Sequence, residues 1–282
     1  MSDQVVKNPE RVAILQKIEE LEKKGIFDQD AENDPEGREL LPNEVDYLCK
    51  KLSSKIARKM AYSQSHKFAK KMMKAGQLVI KDIRGIEYLK NMATGAMITC
   101  NHFHPFDSFA IEIGFEAAGF KKRKMHRIID EKNYTSMQGF FGFLMRNYYT
   151  LPLSRNKRTM VNMMKAVDTL LAKRHFVLVY PEQSLWWNYR KPKPLKDGAY
   201  KLAVRNNTPV VPVFITMEDT DVLDGDGYPV QAYTIHICKP IYPKENLSKQ
   251  ENIAYMRDEN YRVWKEVYEN TYGIPLTYTT VQ

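Results

Sequence analysis

Ala96-Met97-Ile98-Thr99-Cys100-Asn101-His102-Phe103-His104-Pro105-Phe106-Asp107 is the stretch on which the reading of this 282-residue chain turns. Its first five residues are an apolar run, and the run predicts a buried strand over 95–100. His102 and Asp107, with four residues between them, then fall on the turn that leaves the strand. A histidine there can take a proton from an attacking hydroxyl, provided a carboxylate holds its other ring nitrogen in the right tautomer. Asp107 supplies that carboxylate and begins a helix.

Outward from this point, short β-rich runs alternate with helical stretches. Strands are predicted over 77–81, 95–100, 125–130, 175–180, 209–216 and 232–238. Residues 159–174 put Met160, Met163, Met164, Val167, Leu170 and Leu171 on one helical face, and 248–272 repeat the pattern with Ile253, Met256, Val263, Trp264, Val267 and Tyr268. Such alternation implies an α/β fold with a mixed, mostly parallel central sheet flanked by helices. An N-terminal helical extension over 1–75 precedes this α/β domain over 76–282. Within the extension, 9–25 read as an amphipathic helix and 28–43, with Pro35, Gly37 and Pro42, as an irregular connection. A long helix over 44–76 follows, with Val45, Leu48, Leu52, Ile56, Met60, Tyr62, Phe68, Met72 and Met73 as its apolar stripe. Asp219 to Gly227 lacks the spacing of an EF-hand and is expected to be an acidic hairpin.

With 43% hydrophobic residues the chain can bury a sizeable core. Cys49, Cys100 and Cys238 are scattered and odd in number, which argues against a disulfide framework or a zinc site and for a reducing compartment. Met1-Ser2-Asp3-Gln4 shows no leader pattern, and no apolar run approaches the ~20 residues that span a bilayer. The net charge of +9 gathers at 67–74, 121–127 and 190–196. Basic clusters of this kind attract an anionic membrane surface by about 1 kcal/mol per residue. No zinc finger or RNA-binding aromatic block accompanies the charge, so nucleic acid is not an expected partner.

Four blocks in order give these features a common source. Asn101-His102 with Asp107 is the first, Pro152-Leu153-Ser154-Arg155 the second, Tyr180-Pro181-Glu182 the third and Val210-Val211-Pro212-Val213 the fourth. Pro194 to Ala203 links the last two. The set resembles the glycerolipid acyltransferases, the 1-acylglycerol-3-phosphate acyltransferase superfamily, from about Gly95 to Ile215. That resemblance implies direct transfer of a fatty acyl group from a thioester to the hydroxyl of a lysophospholipid, 1-acylglycerol 3-phosphate above all. The donor would be acyl-CoA or acyl carrier protein, with no cofactor, no metal and no serine or cysteine nucleophile. His102 and Asp107 would be catalytic. Asn101, Arg155, Glu182, Gln183, Ser184, Arg190 and Lys196 would bind substrate, Arg155 through its planar fork to phosphate. The protein would lie in the cytoplasm, peripheral to the membrane.

The third block departs from the family pattern Pro-Glu-Gly-Thr-Arg, because Gln183 replaces the glycine and Leu185 the arginine. Leucine cannot donate to a phosphate, so either Arg190 or Lys191 substitutes or the acceptor headgroup is an amine- or sugar-containing lipid. The second block carries Tyr148 and Tyr149 where a glycine often sits. Trp186 and Trp187 are candidates for a pocket wall or for packing. Two rivals from other classes are a metal-dependent hydrolase built on His102 and His104, whose spacing to Asp107 does not fit, and a non-catalytic lipid-binding homologue.

Overall fold

A computed structural model describes residues 7–32 and 36–280; the leader reading at Met1 to Gln4 and the turn residue Pro35 lie outside them. The described residues build seven strands: β1 (Val79–Arg84), β2 (Ala96–Cys100), β3 (Met125–Ile129), β4 (Thr150–Pro152), β5 (Phe176–Val179), β6 (Val210–Leu223) and β7 (Pro229–Ile237). They form one sheet in the order β1-β7-β6-β2-β5-β3-β4. Only β6 and β7 pair antiparallel; every other pair is parallel. The mixed, mostly parallel sheet expected from the sequence is therefore present.

Helices cover both faces, as a parallel sheet requires. On one side lie α2 (Leu52–Lys74), α3 (Ile86–Lys90), α4 (Asp107–Ala117) and α6 (Gly139–Asn147), packed on Ile98, Cys100, Phe176, Leu178, Val211, Val213 and Ile215. On the other lie α7 (Lys157–Ala172), α8 (Gly198–Arg205) and α9 (Lys249–Tyr272), packed on Met97, Val177, Val210 and Phe214. Successive residues of β2, β5 and the first half of β6 thus point to opposite layers, and the period of two makes these stretches apolar on both faces apart from Thr99 and Thr216. Two further helices are α1 (Pro9–Lys23) and the short α5 (Glu131–Thr135). Caps fix the helix starts: Asn8 before α1, Asn156 before α7, and Ser248 with Glu251 in a reciprocal capping box before α9.

The long helix expected over 44–76 begins only at Leu52. Asp46 explains the delay, because its carboxylate accepts the backbone N–H groups of Lys50 and Lys51, while Cys49 adopts φ 51°, which no helix continues. β4 escapes sequence pattern because it is three residues long and ends in proline. The acidic stretch after Asp219 is the hairpin that joins β6 to β7. Its Asp224 side chain accepts from the N–H of Asp226 and Tyr228, and Asp226 takes Asn8 and Arg11 from the start of α1.

Because β2, β3, β4, β5 and β6 run the same way, the turns after Cys100, Pro152 and Val179 all leave one edge of the sheet. The carboxyl edge of a parallel sheet is where α/β folds gather ligand groups. All of the sequence-selected blocks except the fourth sit there.

Candidate active site

Asn101 follows β2 with its side chain already engaged: it donates to the Ile215 carbonyl and accepts from the Ile215 N–H, clamping the end of β2 to β6. It is buried, and both of its amide groups are engaged by the Ile215 backbone. The next residue turns out of the sheet. His102 directs Nδ1 at Asp107 Oδ2, 2.7 Å away, with the aspartate side chain 1% exposed and the imidazole 25% exposed. Asp107 reaches this position because it opens α4, five residues on. Its Oδ2 also accepts the Phe103 N–H at 3.3 Å, and its Oδ1 accepts the Tyr180 hydroxyl at 2.6 Å.

The Tyr180 ring then lies flat against His102, with centroids 4.1 Å apart and planes 21° apart. Burial, reinforced by Asp107, holds the Tyr180 phenol well above its ordinary pKa, so it stays a proton donor to the carboxylate. Three groups therefore fix one carboxylate, and the carboxylate fixes one ring. The imidazole is oriented with Nδ1 as donor, which leaves Nε2 as the basic nitrogen.

Glu182 meets the same turn from β5. Its Oε2 accepts the His102 N–H at 3.0 Å. Its Oε1 accepts the Lys193 N–H at 2.8 Å, and the Lys193 ammonium lies 3.2 Å from Oε2. Both side chains are buried, and Glu182 braces the His102 turn. The rest of the third block is engaged by the N-terminal segment. Ser184 Oγ donates to the Phe27 carbonyl, and the Leu185 N–H donates to Asp30. Lys196 pairs with Asp28 at 2.7 Å. Arg190 pairs with Asp219 and Gln231, and Lys191 with Glu22. Both cations that could stand in for the arginine missing at Leu185 are thus paired within the protein, and the basic cluster at 190–196 is matched by its own acidic partners.

Arg155 stands at the carboxyl end of β4. Its Nε contacts Glu131, Nη2 donates to the Gly37 carbonyl at 2.9 Å, and the guanidinium is 70% exposed. Gln183 is exposed with φ 60°, and Tyr149 has φ 52°. Both stand where the family pattern has glycine, and the left-handed backbone that glycine would adopt freely is retained without it. Trp186 and Trp187 are buried against Ile18, Leu21, Phe27 and Ala31, so both pack and neither lines an open pocket.

His104 accepts the Phe106 N–H at 3.1 Å. Burial pushes its pKa down to about 4, and it stays neutral. It is not paired with His102 toward any common ligand. A different group does bring metal-type donors together: His66 of α2 with Glu112 and Glu116 of α4, their donor atoms within 4.8 Å of one another. Those donors are already matched within the protein, Glu116 by His66 and Tyr62 and Glu112 by the buried Arg127.

The comparisons with known proteins can be set against this geometry. Residues 81–216 match the acyltransferase family. This segment belongs to that family. The match spans β1 to the first half of β6 and so contains the turns of His102, Arg155 and Glu182. Among solved structures, the acyltransferase segment and its surroundings resemble the 1-acyl-sn-glycerophosphate acyltransferase PlsC from Thermotoga maritima, with TM-score 0.52 and 18% identity over 77% of this chain and 84% of that one. At that identity the likeness concerns the fold. No curated protein matches the sequence.

Tyr180 stands inside the third block, but its role as a partner of Asp107 and His102 emerges only from the fold. A tyrosine two residues before the block's glutamate was the available signal. Lys193, between Pro192 and Pro194, leaves no signal: a proline-flanked lysine reads as an exposed turn, and its burial shows only when Glu182, Ser184 and the distant His102 carbonyl are brought around it.

Proposed function

We propose that this chain is an O-acyltransferase that moves a fatty acyl group from acyl-CoA or acyl carrier protein to the hydroxyl of a lysophospholipid, with 1-acylglycerol 3-phosphate as its acceptor. The observation that carries the proposal is the 2.7 Å contact of His102 Nδ1 with a buried Asp107 at the carboxyl edge of the sheet. His102 Nε2 removes the acceptor's proton as that oxygen attacks the thioester carbonyl. Asp107 stabilises the imidazolium that forms. Collapse of the tetrahedral intermediate expels the thiolate, which takes the proton back from His102. General base action of this kind is worth roughly 10²–10⁴ in rate, and holding both substrates together supplies much of the remainder. Arg155, exposed at the same edge, is the candidate to meet the acceptor phosphate.

Among the described residues no helix is long and apolar enough to cross a membrane. The lipid substrates must then be reached from one side. An aromatic group of Phe68, Phe106, Phe109, Phe140 and Phe141 adjoins the His102–Asp107 turn, with Phe140 and Phe141 part exposed. Beside it α2 exposes Leu52, Ile56 and Met60 among lysines. These surfaces support attachment to the cytoplasmic face of an anionic membrane.

The absent arginine at Leu185 favours a second acceptor class, an amine- or sugar-containing lipid. Offering purified protein labelled acyl-CoA, acyl carrier protein and a panel of lysolipids decides between them. Acylated 1-acylglycerol 3-phosphate supports the first; product only from a phosphate-free acceptor supports the second. No transfer to any acceptor overturns the assignment.

A further inference from the structure

His102 is held from behind by a buried ion pair. Lys193 and Glu182 are 1% and 2% exposed. Glu182 accepts the His102 peptide N–H, and the Lys193 ammonium donates to the His102 carbonyl at 3.3 Å and to the Ser184 carbonyl at 2.8 Å. One pair therefore grips both peptide groups of the catalytic histidine. On the opposite side, Asp107 and Tyr180 hold only its ring.

Stability gives little reason to keep such a pair. Removing two charges from water is expensive, and a buried ion pair replaced by apolar groups of similar size often leaves a protein as stable or more so. The ammonium pays that penalty here, since burial lowers its pKa while Glu182 opposes the change. An apolar side chain could fill the space around Trp186, over whose ring Nζ sits at 5.2 Å, but it has no donor for the His102 and Ser184 carbonyls. A hydrogen-bonded grip on a single residue's backbone is what the pair supplies and an apolar filler would not.

We propose that Lys193 is a positioning residue: with Glu182 it fixes the His102 backbone so that Nε2 meets the acceptor hydroxyl while Nδ1 stays on Asp107. This rests on the acyltransferase assignment above. Glu182 thereby acts through His102 and not by holding the acceptor.

The variants Lys193→Met, Glu182→Gln and the double variant test it. The double variant removes both charges together, so no lone buried charge remains to unfold the protein. It is expected to melt close to the wild-type temperature and to keep KM for acyl-CoA. Its kcat should fall about 10- to 100-fold, the scale of a misplacement near 1 Å. Wild-type kcat in the double variant overturns the proposal. So does a fall in activity that only tracks the folded fraction. A second readout needs no turnover: ¹⁵N NMR of the His102 ring should show the hydrogen-bonded Nδ1–H signal of wild type weakened in the double variant, and an unchanged signal overturns the proposal. His102→Ala is the control. Should it retain full transfer, His102 is not the base and the positioning role falls with it; should wild type show no transfer, the acyltransferase assignment fails, while the NMR result still decides whether the pair positions the His102 ring.

Discussion

At His102 the chemistry depends on which ring nitrogen carries the proton, and a single contact to Asp107 sets that. Replacing His102 with alanine is expected to lower kcat by ~10²–10⁴ while the melting temperature holds, because the imidazole is partly exposed and its loss opens no core cavity. Asp107→Asn should reduce kcat by up to about 10⁴, since an amide can hold the ring in the wrong tautomer. Steady-state kinetics with acyl-CoA, beside thermal melts, check both; retention of more than half the activity in either variant would remove the base from the mechanism. At Gln183 the question is conformational. A non-glycine residue in the left-handed region carries roughly 1–2 kcal/mol of strain, and glycine's extra unfolded-state entropy offsets about 0.5–1 kcal/mol of the relief. Gln183→Gly should therefore stabilise by about 0.5–1 kcal/mol in urea at unchanged m-value. A loss of stability would mean that the exposed glutamine side chain makes contacts that matter.

α2 presents two faces with different duties. Inward, Ala61 and Ser65 are buried, and Tyr62, Phe68 and Met72 pack on the sheet-covering core. Outward, Leu52, Ile56 and Met60 recur every four residues in the exposed half, while Lys67, Lys70, Lys71 and Lys74 occupy the second half. The apolar stripe in the sequence is thus a mixture, and spacing alone does not separate its members, because each face of a helix sees the same period. Changing Leu52 and Ile56 to aspartate should weaken sedimentation with anionic vesicles by several-fold without lowering the melting temperature; unaltered binding would place the membrane contact elsewhere. The inward face is tied to α4 by His66 and Glu116. Their contact raises the His66 pKa from 6.5 and lowers that of Glu116 from 4.5. A raised histidine pKa stabilises below about 6.5 and is lost as pH climbs through the folded value. The lowered carboxylate pKa stabilises above about 4.5 and is lost as pH falls through its folded value. The link is therefore strongest between those limits. The melting temperature of His66→Gln should lie further below wild type at pH 5.5 than at pH 8, and an equal gap at both would show that the contact is not ionic.

Across the whole molecule, the parts legible in the sequence were those whose signal is local. Six of the seven strands, the helix of Met163 and Val167, that of Trp264 and the His102–Asp107 pair each announce themselves within a dozen residues. The start of α2 did not, because Asp46 intercepts the backbone that a periodic pattern would assign to helix. The commitments of Ser184, Arg190, Lys191 and Lys196 were also hidden, since their partners are 29 to 169 residues distant. The N-terminal segment reads as a separate extension, yet residues 7–32 close over the third block through Trp186. That ring is fully buried, stacks on Phe27 at 5.5 Å and donates Nε1–H to the Gln29 carbonyl at 2.8 Å. Trp186→Ala removes the ring from between the two and strands the Gln29 carbonyl, so a destabilisation of about 3–5 kcal/mol is expected. The shape of the transition carries the larger point. If the segment and the sheet form one cooperative unit, far-UV and tryptophan signals of the wild type should fall together in a single urea transition, and the variant should shift that transition as a whole. Were the segment an independent module, wild-type unfolding would divide into two steps, and Trp186→Ala would move only the earlier one.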